Sequence, residues 1–179
     1  MLAMNAGMIN VLGLISLLHQ SVSHMTGNAS LIALSLADQD YSSVIFLVLV
    51  VISYVLGSSY SGFILGNSHF QLARRYGLPL TLVTIFILLC WLFISEYPRY
   101  ALLWACASMG IQNAMVSHYQ GAIIRTTHLS GVLTDLGLAL GYFFRGLKND
   151  PKKIILHLLI LIGFITGSIV AAISYPYLQ

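Results

Sequence analysis

Charge is what this sequence most lacks: Asp, Glu, Lys and Arg make up only 7% of its 179 residues, while 58% are hydrophobic. A soluble domain carries about a quarter of its residues as charges, so a water-facing globule is excluded. Cysteine is scarce too. Cys90 and Cys106 stand in separate apolar windows without metal-type spacing, which leaves two buried reduced thiols and no disulfide framework. No basic n-region or small-residue cleavage site marks the run from Met1 to Leu18, so it reads as a first membrane helix and not as a removable signal. Gly-x-Ser-x-Gly, His-Glu-x-x-His and comparable strings are missing, so neither an enzyme nor a cofactor is expected. The basic residues outnumber the acidic ones by eight to five, yet they sit in short clusters between apolar runs. That is the pattern of cytoplasmic loops and not of a nucleic-acid surface.

What is present is apolar length. A transmembrane helix needs roughly 20 apolar residues to cross about 30 Å of hydrocarbon. Five windows qualify: Leu2 to Leu18, Ser43 to Gly66, Leu78 to Ser95, Ala101 to Val116 and Ile154 to Ile173. Two more stretches fall short. Asn28 to Ala37 ends at Asp38 and Asp40, and Val132 to Phe144 contains Asp135, so both are expected to enter the bilayer and return. The expected fold is therefore all-α, a polytopic membrane protein with the lipid bilayer as its first partner. Arg74 and Arg75 mark one cytoplasmic loop, and Arg145, Lys148, Lys152 and Lys153 another. The loop with Asp38 and Asp40 then faces outward, the N-terminus lies inside, and Arg99 is the one basic residue left outside.

The two short stretches are also where the sequence repeats. Ser23-His24-Met25-Thr26-Gly27-Asn28 parallels Thr127-His128-Leu129-Ser130-Gly131-Val132 at an offset of 104. Gly7-Met8-Ile9-Asn10 parallels Gly110-Ile111-Gln112-Asn113 at 103, and Tyr54-Val55-Leu56-Gly57-Ser58 parallels Phe164-Ile165-Thr166-Gly167-Ser168 at 110. The chain thus divides, within one transmembrane domain, into repeat one at 2–67, a linking helix at 78–96 and repeat two at 100–175. One extra crossing between two such units inverts the second, the inverted-repeat plan of many transporters and some channels.

The candidate site follows from the breaks. Gly27 and Gly131 are expected to interrupt a helix, and Thr26 and Ser130 to cap the half-helix that follows. Two half-helix N-termini meeting from opposite sides would each offer about half a positive charge to an anion or polar group. His24 and His128 would either relay a proton or simply cap the broken backbone. A metal held by the two histidines and Met25 lacks further ligands of the usual spacing, so no metal is expected. Asp135 lies seven residues after His128 on the same helical face, and is expected to face the cavity or pair with His128. Asn10, Gln112 and Asn113 would line the same cavity or join neighbouring helices by hydrogen bonds. The candidate solute-binding set is completed by Asn28. Gly57, Gly62, Gly66, Gly163 and Gly167 have the spacing of close helix contacts.

These residues carry a resemblance. Ala6-Gly7-Met8-Ile9-Asn10, Ser23-His24-Met25-Thr26-Gly27-Asn28, Met109-Gly110-Ile111-Gln112-Asn113-Ala114 and Thr126-Thr127-His128-Leu129-Ser130-Gly131 together resemble the YoaK-like membrane proteins, domain-of-unknown-function family 1275. The resemblance implies a bacterial cytoplasmic (inner) membrane and little about activity. Two departures stand out: Asn10 occupies a position where the family often has Asp, and no counterpart of the linking helix follows Gln179, which favours a homo-oligomer. The expected function is transport of a small solute or ion, through a carrier or a channel, anionic or proton-coupled. The alternative is a non-transporting membrane assembly or scaffold protein, which requires a packed interior without a cavity.

Overall fold

Each window expected to span becomes one helix, and so does each of the two short stretches, in a computed structural model that describes residues 1–17, 20–65, 76–117 and 126–177. The helices are α1 (Leu2–Ser16), α2 (Met25–Ala37), α3 (Tyr41–Leu65), α4 (Gly77–Phe93), α5 (Pro98–Val116), α6 (Leu129–Phe144) and α7 (Pro151–Ser174), closed by a single turn of tighter helix at Tyr175–Tyr177. No strand occurs among the described residues. Leu18, Gly66, Asn67, Arg74 and Arg75, used above, lie outside them. Helices α2 and α6 begin three residues earlier than their apolar runs suggested.

Polarity in this bundle runs opposite to that of a soluble protein. Large apolar side chains point outward, among them Leu56, Phe63, Trp91, Phe143 and Leu159. Buried positions include Asn28, Ser61, Ser108, Gln112, Asn113 and Thr126. A surface of this kind is stable only against lipid. By length and apolarity together, α3 and the segment Pro151–Tyr177 are fit to cross a bilayer, while α1, α2, α4 and α6 are shorter apolar helices.

Local chemistry sets the ends. Pro98 and Pro151 open α5 and α7, where a missing amide proton costs nothing. Asp150 caps α7 by accepting from the Lys152 amide at 3.0 Å. Asp40 does the same for α3, accepting from the Ser43 amide at 3.1 Å; the Ser43 hydroxyl, then its amide, hold that carboxyl below the ordinary carboxylate range. The two short helices end alike. After α6, Gly146 takes a φ of 67° and Leu147 donates to the Tyr142 carbonyl at 2.9 Å. After α2, Gln39 takes a φ of 60° and Asp40 donates to the Ser35 carbonyl at 2.8 Å. Both are Schellman endings, which turn the chain sharply into the next helix.

The halves interlock. The first helix of each half packs along the last helix of the other: α1 on α7, and α5 on α3. Four glycines make these seams close. A Cβ on Gly7 would overlap the Phe164 carbonyl, and one on Gly110 would overlap that of Tyr54. Gly167 is pressed in the same way against Met4, and Gly57 against Ala107. Ser168 donates to the Gly7 carbonyl at 3.3 Å and Ser58 to the Gly110 carbonyl at 3.1 Å. Each of these contacts in one seam thus has its partner in the other, at the offsets found in the sequence. The arrangement also corrects an expectation: Gly62 has no neighbour within 4 Å and makes no close helix contact. Helix α4 packs on α5, whose length is buried almost throughout.

Candidate functional site

Helices α2 and α6 both begin at one cavity of about 580 Å³. Helix α1 contributes Asn10 and Leu14, and the following connection Ser21, Ser23 and His24. Met25 and Thr26 come from the start of α2, Leu129 and Ser130 from the start of α6, and Thr127 and His128 directly precede the latter. Tyr54 of α3 and Phe164 of α7 close the ring. These are the two aromatic residues whose backbones receive Gly110 and Gly7, so the glycine seams also fix where the rings stand.

Gly27 and Gly131 do not break a helix. Both lie in the first helical turn, and Gly146 is the one described glycine with positive φ. Their service is steric: a Cβ on Gly27 would fall 2.7 Å from Cδ2 of His24, and one on Gly131 2.6 Å from Cδ2 of His128. Each imidazole therefore lies over its glycine. Thr26 and Ser130 do not cap either. The N-caps are His24 and His128, neither with a side-chain cap hydrogen bond, and Thr26 and Ser130 stand two residues further on, past the position from which a hydroxyl reaches the first amides. Their carbonyls accept instead from Ser30 at 3.2 Å and Thr134 at 2.8 Å. The first amides to make a bond of the α-helical ladder are those of Asn28, to His24 at 3.3 Å, and Val132, to His128 at 3.2 Å; Leu129 donates to the Thr127 carbonyl at 3.1 Å. The amides of Thr26, Gly27, Ser130 and Gly131 precede them, at the positive ends of two helices.

Behind the lining, amides brace the wall. Asn10 Oδ1 accepts from the hydroxyls of Ser21 at 2.8 Å and Ser23 at 3.1 Å, and from the Ser23 amide at 3.4 Å. Asn113, in the matching place, donates through Nδ2 to Thr127 at 2.6 Å and to the Tyr54 hydroxyl at 2.8 Å. Its Oδ1 accepts from Thr126 at 3.0 Å. Gln112 donates to Thr126 at 2.9 Å and to the Leu2 carbonyl at 3.0 Å, and accepts from Asn5 at 2.8 Å. Asn28 is buried and donates to the Ser21 carbonyl at 3.2 Å. Asn10 thus reaches the cavity, whereas Gln112, Asn113 and Asn28 hold its walls from behind.

One expected member lies elsewhere. Asp135 does not line the cavity or pair with His128; its carboxylate is 3.5 Å from His157 Nε2. Helix α6 leans on α7 there, so the partner comes from the neighbouring helix and not from one two turns back. Tyr54, Phe164, Ser21, Ser23 and Thr127 were absent from the expected set, although all but Ser21 sit inside the repeated strings and pair at the same offsets. Among the described residues no three His, Cys, Asp or Glu side chains lie close enough to hold a metal.

Asn113→Ala should lower stability by about 1–3 kcal/mol, because it leaves the buried Thr126 hydroxyl without its acceptor. Thermal unfolding in detergent should show this as a fall of several degrees, larger than that of Asn10→Ala. Equal melting temperatures for the two variants would contradict the bracing role.

The family described as "Protein of unknown function (DUF1275)" matches residues 1–178. The chain belongs to the DUF1275 family. This DUF1275 protein is also 26% identical, over 184 residues, to the UPF0700 transmembrane protein YoaK of Bacillus subtilis (strain 168), with 98% of this chain and 82% of that protein covered. No solved structure matches. With its apolar exterior and a relative named as transmembrane, the DUF1275 chain is an integral membrane protein.

Proposed function

We propose that this protein moves a small solute or ion across a bacterial cytoplasmic membrane, with its N-terminus inside, through the cavity between the starts of α2 and α6. The observation that carries this reading is the shared cavity itself, since a scaffold would be expected to fill its midplane with side chains. Its lining favours an anion or a polar neutral solute. Hydroxyls of Ser21, Ser23, Thr26, Thr127, Ser130 and Tyr54, two imidazoles and two helix N-termini face it, and no carboxylate does. Helix N-termini of this kind add about half a positive charge each. An inverted relation of the two halves, as read from the sequence repeat, would suit alternating access, in which matched seams exchange roles on the two sides. An enzymatic activity is not proposed, because no hydrogen bond among the described residues pairs a nucleophile with a base in the cavity.

The test is flux in liposomes holding the purified chain, with chloride, nitrate, acetate, sodium and potassium each supplied with and without a pH gradient. Anion flux should exceed that of empty liposomes and fall at least tenfold in the His24→Ala, His128→Ala double variant. Flux equal to empty liposomes for every probe, or unchanged in the double variant, overturns the proposal.

A further inference from the structure

Asp135 is the one acidic residue within a helix; Asp38, Asp40, Glu96 and Asp150 all stand between helices. Its contact with His157 joins α6 to α7, and it is the one ion pair among the described residues. His157 is 15% exposed and Asp135 55%, so the pair lies at the edge of the seam and not in its core. Beside it is an apolar cluster of Val132 and Ile160, with Ala3, Leu136, Leu156 and Leu161.

The other half shows what this place looks like without chemistry. Moved by the offsets of the repeat, 104 for the short helix and 110 for the long one, Asp135 falls on Leu31 and His157 on Leu47. Leu47 is buried. In the first half these two places therefore hold leucines, on the two helices that pack there. A carboxylate within a bilayer costs at least a few kcal/mol, so Asp and His at these places cost stability relative to two leucines.

We propose that Asp135 and His157 form a proton-binding site that controls how α6 docks on α7. With one proton the pair is neutral overall, either as imidazolium facing carboxylate or as imidazole facing carboxylic acid. Release of that proton leaves one net negative charge beside the apolar cluster. Water must then enter, or α6 must move, to solvate it. The start of α6 carries His128, Leu129 and Ser130, so its movement shifts one wall of the cavity while the α2 wall stays seated. The device is one-sided: protons act on the second half alone. That consequence for the cavity rests on the transport reading, whereas the proton site does not.

Few other groups compete for the role. On the elements packed against the pair, the remaining titratable or charged groups are His128 at the start of α6, Tyr142 and Arg145 at its end, Lys148 and Asp150 in the connection, Lys152 and Lys153 in the first turn of α7, Tyr175 and Tyr177 beyond its end, and the Met1 amino group ahead of α1. Lys153, one turn before His157, is the nearest along the helix.

Spin labels report the docking directly. In a Cys90→Ala, Cys106→Ala background, the full chain in lipid nanodiscs would carry labels at Leu140→Cys and Ile155→Cys, both exposed, on α6 and α7. The matching pair in the first half, Leu36→Cys and Ile45→Cys, is also exposed and serves as the internal control. Between about pH 5 and about pH 9, a range that brackets histidine titration, the α6–α7 distance should shift by about 2 Å or more. The α2–α3 distance should hold. Asp135→Asn and His157→Gln should each abolish the shift, so the result does not depend on either variant folding. An invariant α6–α7 distance in the parent, an equal shift in the control pair, or a shift that survives both substitutions overturns the proposal. Flux measured on the same protein separates the two readings: a pH-dependent distance without flux removes transport and keeps the proton site, and flux with an invariant distance does the reverse.

Discussion

Gly110→Ala is expected to destabilise the protein by about 3 kcal/mol or more, at the upper end of what overpacking a tight contact costs. The added methyl meets the Tyr54 carbonyl, a backbone group that cannot rotate away, so α5 and α3 must separate. Gly7→Ala should do the same to α1 and α7 through Phe164, and Gly57→Ala and Gly167→Ala should act on the two seams from the opposite faces. At roughly 2–4 °C per kcal/mol for a chain of this size, each single variant should melt about 6–12 °C lower. Gly62→Ala and Gly137→Ala have open space around the new methyl and should gain up to about 1 kcal/mol of helix propensity. The sign of the effect is therefore set by the neighbour and not by the residue type. Combining Gly57→Ala with Gly110→Ala should cost less than the sum, because both open one seam, whereas Gly57→Ala with Gly167→Ala should add. Thermal unfolding in detergent, followed by size-exclusion recovery, measures all of these, and equal melting of the Gly110→Ala and Gly62→Ala variants would refute the seam.

The seams explain which parts of the fold were legible in the sequence. Apolar length placed a helix in each of the five long windows, since it depends on composition over many residues, and two of these, α3 and the segment Pro151–Tyr177, are long and apolar enough to cross a bilayer. The ends of α2 and α6 were misjudged for a local reason: Met25-Thr26 and Leu129-Ser130 are helical, but a mixed polar start gives no hydrophobic period to mark it. Gly27 and Gly131 illustrate a second limit. A glycine after His-x-Thr or His-x-Ser suggests a break, yet here it is helical and vacant space is its service, which only the position of the histidine ring reveals. Gly62 and Gly57 share the same spacing motif, and only coordinates show that one meets a carbonyl and the other meets nothing. Asp135 was rightly singled out as unusual, but its partner His157 lies 22 residues away on another helix, beyond any local pattern. The repeat held more than was taken from it. Tyr54 with Phe164, and Ser23 with Thr127, are matched positions that line the cavity, and pairing alone would have nominated them.

Gly27→Ala offers the sharpest division between stability and function. Alanine exceeds glycine by about 0.8–1.0 kcal/mol inside a helix, and Gly27 has ordinary helical backbone, so the change should leave the melting temperature unaltered or slightly raised. The new methyl would stand 2.7 Å from Cδ2 of His24, which a ring can escape only by turning out of its seat. The imidazole is then still present but no longer where the cavity needs it. Solute flux should drop at least tenfold, about 1.4 kcal/mol in free-energy terms, in a protein that is at least as stable as before. Gly131→Ala should behave alike through His128, whose Cδ2 would be 2.6 Å away. If the ring's position is what matters, adding Gly27→Ala to His24→Ala should cost nothing further, because the only atoms the methyl displaces are already gone. Independent, additive losses would instead mean that the glycine acts on the backbone of α2 and that the histidine's seat is incidental.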